Sequence, residues 1–540
     1  MSAIDWIILI AALCAIIIYG IYKSAHTKNL DGYFLSNNTL PWYLVLLSIM
    51  GTQASAITFL SAPGQAYTDG MRFVQYYFGL PIAMVLICIF FVPVFRKLKV
   101  YTAYEFLENR FDVKTRTLTS FLFLLSRGLS TGISIYAPSI ILSSLLGWNI
   151  YYTNIVMGGF LIIYTVSGGA KAVAYTQQLQ LVIVIAGMLL AGYMVVHLLP
   201  ADINFTDALK SAGKEGRMNV ITSGSNSNGF DWKDKYNIWS GLIGGLFLAL
   251  SYFGTDQSQV GRYLTAKNEK ESKIGLLMNG LVKVPMQFLI LLVGVLVFAF
   301  YQHNKPPVYF DKVQVETAQK TIYKDSLATT EQQYSLALSQ KEYHKADKLR
   351  AEYKGYIRKA LNDNSANDTN YIFLRFVIEN LPRGLVGLLI AMIFLASWGS
   401  IAAALNSLAS CTVVDFHKKF VNKSCTESDD YKISRWYTFA WGVFAIIVSM
   451  FAYNLGNSLI EAVNILGSIF YGVILGIFLV AFWIKRISGS AVFIAAVVSQ
   501  LLVIIIYWID IVSFLWLNAI GALLVIILSL FIQTLPGAKK

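Results

Sequence analysis

Between Trp42 and Gly70 the chain reads WYLVLLSIMGTQASAITFLSAPGQAYTDG, an apolar stretch with its polar residues gathered in the middle. Gly51, Thr52, Gln53, Ser55 and Thr58 stand where a membrane-spanning helix would carry Leu or Val. Inside hydrocarbon every backbone N–H and C=O must find a partner, so glycine and small hydroxyls at that depth need protein or a water-filled cavity around them. Helices interrupted in this way present oxygens to ions and solutes near the bilayer midplane in secondary transporters. The stretch predicts such a binding helix; close helix packing by small residues is the other reading it leaves open.

Three ionisable residues add to this. Arg127 and Lys283 lie within apolar runs, and Asp256 sits in the polar cluster SYFGTDQSQ from Ser251 to Gln259. A charge at membrane depth is costly and faces a cavity or a partner. Arg127, about one helical turn from Ser130, either meets an anionic solute, for whose carboxylate a guanidinium fork is well shaped, or pairs with Asp256 or a helix-end carbonyl, or snorkels to the surface. Lys283 is a further candidate solute contact, and Asp256 is expected in an ion pathway or gate network. An enzyme has no signature here: the five His (His26, His197, His303, His344 and His417) are scattered, with no HExxH or paired-acid motif.

The elements that must position these residues are apolar spans. Of 540 residues 56% are hydrophobic and only 14% charged, and the mean hydropathy is +0.58, which predicts an all-α polytopic membrane protein. Spans of membrane length fall near 3–22, 41–63, 73–95, 118–146, 150–167, 173–199, 238–258, 275–301, 381–412, 435–453, 458–483, 489–508 and 512–533, thirteen in all. The net charge of +13 is spread between the spans, which reads as an orientation signal and not as a nucleic-acid surface. Lys23, Lys28, Arg96, Lys97, Lys99, Arg110, Lys114, Arg116, Lys171, Arg262, Lys267, Lys270, Lys273, Lys418, Lys419, Lys423, Lys485, Arg486, Lys539 and Lys540 fall on one side, while Arg72 and Arg383 are the main exceptions opposite. That bias predicts a cell-membrane protein with its N-terminus outside and its C-terminus cytoplasmic. The first span lacks a basic leader and cleavage site, so it is expected to be retained. Cys14, Cys88, Cys411 and Cys425 form no disulfide or metal framework.

The organisation expected is a leading helix and cytoplasmic loop (1–40), a first five-helix set (41–199), an extracytoplasmic loop (200–236), a second five-helix set (237–483) and two trailing helices (484–540). Because five is odd, the second set must cross inverted relative to the first, and each set should open on a broken helix, here 41–63 and 238–258. The second set carries an extracytoplasmic insertion at 302–370. From Val315 to Asn362 it has no proline and no glycine before Gly355, and its alternating charges predict one or two solvent-facing amphipathic helices capping the outer mouth.

Five motifs, in order from about residue 33 to 485, together resemble the sodium/solute symporter family, which contains glucose, sialic acid, proline, iodide, vitamin and monocarboxylate symporters. They are WYLVLLSIMGTQASAITFLSAPGQAY, YTAYEFLENRF, SGGAKAVAYTQQLQ, YFGTDQSQVGRYLTAKN and AAALNSLASCTVVDF. SAITFLSAPGQAY and the YAP at Tyr136–Pro138 are similar to the iodide, vitamin and monocarboxylate branch; TDQ at Thr255–Gln257 is similar to the glucose branch.

The resemblance implies a sodium site made by backbone carbonyls at Gly51 and Ala54 together with Ala396, Gly399 and Ser400. A hard cation wants such oxygen ligands. The family usually has two adjacent hydroxyl residues where this chain reads Gly399–Ser400, so one side-chain ligand is missing. A second sodium site would need hydroxyls near Ala402 and Ala403 and an acid at Gln177, all absent, which implies one sodium per solute. Gln53, Thr58, Tyr77 and Ser130 match solute-contacting positions of the glucose-type pattern, several changed in type. Tyr252 matches the aromatic closing the inner side of the pocket, whereas Phe253 is assigned to packing. With Asp256 and Gln177, Tyr252 is placed on the gate or ion pathway. The function implied is sodium-coupled symport of a small organic solute, a sugar, sugar acid or monocarboxylate, by a monomer without cofactor. The alternative is a channel-like or substrate-sensing protein that has lost sodium coupling.

Overall fold

The computed structural model describes residues 1–24, 38–98, 100–227, 229–340, 342–364, 366–422, 427–452 and 458–535. Lys28, Lys99, Lys423, Lys539, Lys540 and Cys425 lie outside the described residues. Helix α1 (Ala3–Ser24) is followed by α2 (Trp42–Gln53) and α3 (Ala56–Asp69), the two halves of one interrupted span. A 3-10 segment (Gly70–Tyr77) leads into α4 (Leu80–Leu86), a π-helical turn (Ile87–Phe91) and α5 (Val92–Leu98). Short α6 (Glu105–Arg110) precedes α7 (Val113–Leu146), and α8 (Ile150–His197) follows.

The next loop holds α9 (Phe205–Lys214) and a two-stranded hairpin pairing Ser225 with Phe230 and Asn226 with Gly229. A π-helical turn (Ser240–Gly244) then opens α10 (Gly245–Gly254), succeeded by α11 (Gln257–Leu264) and α12 (Glu269–His303). The insertion contributes α13 (Lys312–Ala318), α14 (Lys324–Ser339) and α15 (Tyr343–Leu361), and α16 (Ile372–Asn380) follows it. The chain closes with α17 (Leu385–Cys411), its π-helical continuation (Thr412–Val421), α18 (Glu427–Ser449), α19 (Leu459–Trp483), α20 (Gly489–Ile509) and α21 (Phe514–Thr534).

A helical segment lies at each of the thirteen places expected. Among the described residues eight helices are long and apolar enough to cross a membrane, and four shorter apolar helices accompany them: Ala3–Ile16, Trp42–Gln53, Ile150–Val166 and Ser240–Gly254. The spans expected at 150–167 and 173–199 are continuous in α8. Even so, Tyr164 Oη and Thr176 Oγ1 are 2.6 Å apart, whereas twelve residues of straight helix advance about 18 Å. The helix therefore bends sharply between them, which lets its two parts act as separate spans.

Both opening helices are broken. Ala54 (φ −83°, ψ 80°) and Ser55 (φ −92°, ψ 175°) leave the helical region. Ser55 N donates to the Gln53 carbonyl at 3.1 Å and Thr58 N to the Ser55 carbonyl at 2.9 Å, so neither supplies the i−4 bond that Gly51 and Ala54 carbonyls would accept in a continuous helix. In the second set α10 stops at Gly254, and Asp256 restarts the chain as the N-cap of α11, accepting from Ser258 N at 2.8 Å and from its hydroxyl at 2.6 Å. This break lies close to one end of its span.

Helix α17 is hydrophobic on every face and is buried continuously from Leu389 to Cys411, as a central helix must be. It packs against α8, α7, α2 and α3. The insertion departs from the expectation of one or two solvent-facing helices, because its three helices close over a small core of their own that includes Leu327, Tyr334, Leu349, Tyr353 and Ile357. Beneath that core Asp368 is fully buried. It accepts from Phe310 N at 3.0 Å and pairs with Arg350 at 3.2 Å and Lys354 at 2.6 Å. The foot of the insertion, Thr369–Tyr371, is wedged between α3 and the start of α19. Asn370 Oδ1 accepts from Leu459 N at 3.1 Å, and a Cβ on Gly64 would meet the Thr369 carbonyl oxygen at 2.1 Å.

Candidate functional site

Between the α2–α3 break, α7, α10, α12, α17 and α19 lies a cavity of about 1060 Å³, counting the part that opens to solvent. Gln53, Thr58, Tyr77, Arg127, Ser130, Tyr252, Lys283 and Ser400 all line it. Gln53 and Ser400, 347 positions apart in sequence, thus line the same cavity. Gly51, Ala54, Ala396, Gly399, Gln177 and Asp256 do not line it; they stand behind it.

Arg127 donates through Nη2 to Asp256 and, at 3.2 Å, to the Tyr471 hydroxyl, which in turn donates to Asp256 at 3.0 Å. Its guanidinium also sits 5.2 Å from the centre of the Tyr252 ring. Of the partners left open to Arg127 in the sequence (an anionic solute, Asp256, a helix-end carbonyl or the surface), Asp256 is one that it meets. Arg127 Nε has no hydrogen-bond partner among the described residues. Lys283, 2% exposed, has no carboxylate within ion-pair distance among the described residues, and its ammonium lies 5.6 Å from the Tyr77 ring centre. The cavity wall therefore carries one cation paired with a carboxylate and one buried amine with no acidic partner among the described residues. Tyr252 is held from behind by Gln259 Nε2, which donates to its hydroxyl at 2.8 Å.

Ser400 lines the cavity together with Thr52, Gln53 and Ser55, and its hydroxyl donates to the Ser397 carbonyl at 3.0 Å. The interrupted ladder at Gly51 and Ala54 together with this hydroxyl supplies the oxygen chemistry that a sodium ion requires, so the residues fit the first ion site. Gly399 adds no side chain, and its carbonyl already accepts from Gln177 Nε2 at 3.0 Å.

The cavity also recruits residues the sequence reading passed over: Tyr76, Thr131, Ser134, Asn464 and Tyr471, and Phe253, which had been assigned to packing. The signal for several was present. Arg127, Thr131 and Ser134 recur at helical spacing, and Asn464 and Tyr471 are seven residues apart, two turns on one face of α19. Tyr76 Oη donates to Asn464 at 3.0 Å.

The YTAYEF motif proves to brace the second break. Tyr104 Oη donates to the Thr255 carbonyl at 2.9 Å, and Gln257 links to Ala103 N at 3.0 Å and the Tyr101 carbonyl at 2.7 Å. Nearby, Asp415 of the fifth motif accepts from Arg116, from Thr102 at 2.8 Å and from Ser120 at 2.8 Å. Arg116, counted above among the loop charges, is in fact buried in this cluster.

An all-helical membrane scaffold with broken helices around a polar cavity defines a secondary active transporter. A family model for the sodium:solute symporter family matches residues 33–317 and 357–499, and the chain belongs to that family. It is a transporter and not an enzyme. Over 530 residues it is 25% identical to the sodium/sialic acid symporter SiaT of Proteus mirabilis (strain HI4320), covering 97% of this chain and 93% of that one. It is 26% identical to the sodium/sialic acid symporter NanT of Aliivibrio fischeri (strain ATCC 700601 / ES114), with 97% and 92% covered. The human sodium/iodide cotransporter is 30% identical over 282 residues, 52% of this chain and 42% of that protein. A solved structure described as the substrate-bound outward-open state of a Na+-coupled sialic acid symporter shares the fold at a TM-score of 0.80 and 24% identity, covering 100% of this chain and 99% of that one. The family model leaves out 318–356, most of α14 and α15.

Proposed function

We propose that the protein is a sodium-coupled symporter for a small organic solute and that, among a sugar, a sugar acid and a monocarboxylate, the solute is one of the two that carry a carboxylate. Lys283 carries this reading: a buried ammonium at the cavity wall with no acidic partner among the described residues asks for an anion from outside. Arg127 is already balanced by Asp256, so its part is to present polar N–H groups and to hold Tyr252. Gln53, Thr58, Tyr77 and Ser130 orient the solute, while Gly51, Ala54, Ala396 and Ser400 hold sodium. The sialic acid named in two of the relatives carries such a carboxylate. The five-helix sets 41–199 and 237–483 rock about the cavity, with the N-terminus outside and a monomer as the working unit.

The test is equilibrium binding to the purified protein of sialic acid, hexoses, polyols and monocarboxylates, with sodium or choline, in wild type and Lys283→Met. Carboxylates should bind only with sodium, and at least about tenfold (~1.4 kcal/mol) more weakly to Lys283→Met. Neutral sugars binding equally to both proteins would retire the anion. Sodium-independent binding would retire the coupling.

A further inference from the structure

Gln177 is fully buried on α8 and joins α2 to α17. Its Oε1 accepts from Ser48 Oγ at 2.9 Å, and its Nε2 donates to Thr52 Oγ1 at 3.2 Å and to the Gly399 carbonyl at 3.0 Å. Both amide hydrogens are thus used, one toward each helix. The fit is also steric. A Cβ on Gly51 would come within 2.9 Å of Gln177 Cβ, and one on Gly399 within 3.1 Å of Gln177 Cγ. The side chain is wedged between two glycines, one on each helix it ties.

A bound monovalent cation would act in the same way, drawing a hydroxyl and a carbonyl oxygen from two helices onto one centre. The residues around the amide do not fit such an ion. Position 177 offers no carboxylate, Ala402 and Ala403 offer no hydroxyls, and the Gly399 carbonyl is already engaged. The second sodium site that the family resemblance raises therefore does not fit this chain.

We infer that the Gln177 carboxamide stands in for a second cation, clasping α2 to α17 without an ion, so that the sodium dependence of this protein is first order. Gln177 is a positioning residue in this scheme. The inference rests on the sodium-coupled reading above, and it can fail independently of it.

The experiment titrates sodium chloride against choline chloride at constant ionic strength with the purified full chain, reading bound radioactive sodium and apparent melting temperature. Wild type should saturate at about one bound sodium per protein, and Gln177→Glu/Ala402→Ser/Ala403→Ser, which supplies the carboxylate and the hydroxyls that the chain lacks there, at about two. Gln177→Met, with the same reach but no N–H, should melt about 2 °C or more lower in choline, its sodium stoichiometry unchanged. A wild type that binds about two sodium ions, a triple variant that binds no more sodium than wild type, or a Met variant as stable as wild type would each overturn the inference. If wild type binds no sodium while Gln177→Met still melts lower in choline, the clasp stands, and the first-order dependence falls together with the coupling in the proposed function on which it rests.

Discussion

Arg127 on α7 and Asp256 at the second helix break are paired although 129 residues separate them in sequence, and Tyr471 closes the contact from α19. The carboxylate is 1% exposed and the guanidinium 12%. Removing one member of such a pair strands the other charge, which costs about 3–5 kcal/mol, whereas removing both costs much less. Arg127→Ala should therefore destabilise the protein more than Arg127→Ala/Asp256→Ala does. A double-mutant cycle followed by detergent-phase unfolding measures this, and equal losses in the single and double variants would show that the pair is not the structural unit described.

In the proposed sodium site Ser400 is the hydroxyl that remains where Gly399 has none. Ser400→Ala should raise the sodium concentration for half-maximal binding by about tenfold or more, ~1.4 kcal/mol. Restoring a hydroxyl at 399 meets an obstacle: a Cβ there would lie 2.3 Å from Gln180 Oε1. Gly399→Ser alone should therefore gain little, and Gly399→Ser/Gln180→Ala should tighten sodium; sodium titrations of the three variants check the order.

The foot of the insertion leaves no room at Gly64. Because the clash at 2.1 Å is with a backbone oxygen of Thr369, Gly64→Val should separate α3 from the insertion and abolish transport, with protease sensitivity rising at 302–370. A variant with wild-type uptake would show that the wedge is dispensable.

The insertion should also respond to pH. Burial raises the Asp311 carboxyl to about 6, partly offset by hydrogen bonds from Gln314 and Val313 N–H. Burial would raise Asp368 as well, but Arg350 and Lys354 more than offset it and hold its carboxyl below the usual range. A raised pKa stabilises the fold below the unfolded value and is lost as pH climbs through the folded one. For Asp311 the window runs from about 4 to about 6, and the loss is ~2–3 kcal/mol. Asp368 has the opposite sign and loses its contribution only at lower pH. Protection of the α13–α15 amides, after division by the intrinsic exchange rate at each pH, should accordingly fall between about pH 4 and about pH 6, the window set by the Asp311 shift, and Asp311→Asn should flatten that fall.

What the sequence determined by itself was whatever the bilayer enforces locally. Hydrocarbon admits only helices whose polar groups are satisfied, so the apolar runs marked the spans, and the GTQAS and GTDQS clusters marked both broken helices. Gln53, Thr58, Tyr77, Ser130, Tyr252 and Ser400 were legible because they stand at positions matching the family pattern, and Arg127 and Lys283 because they are cations inside apolar runs; one cavity gathers them all. The partners were decided by tertiary structure alone. No local signal says whether Arg127 or Lys283 meets a carboxylate, since that depends on α7, α11 and α19 converging at one point. Nor does any local signal show that Gln177 bridges Thr52 and Gly399, or that Tyr104 braces Thr255. Those contacts join distant segments, and they arise only once the helices are packed.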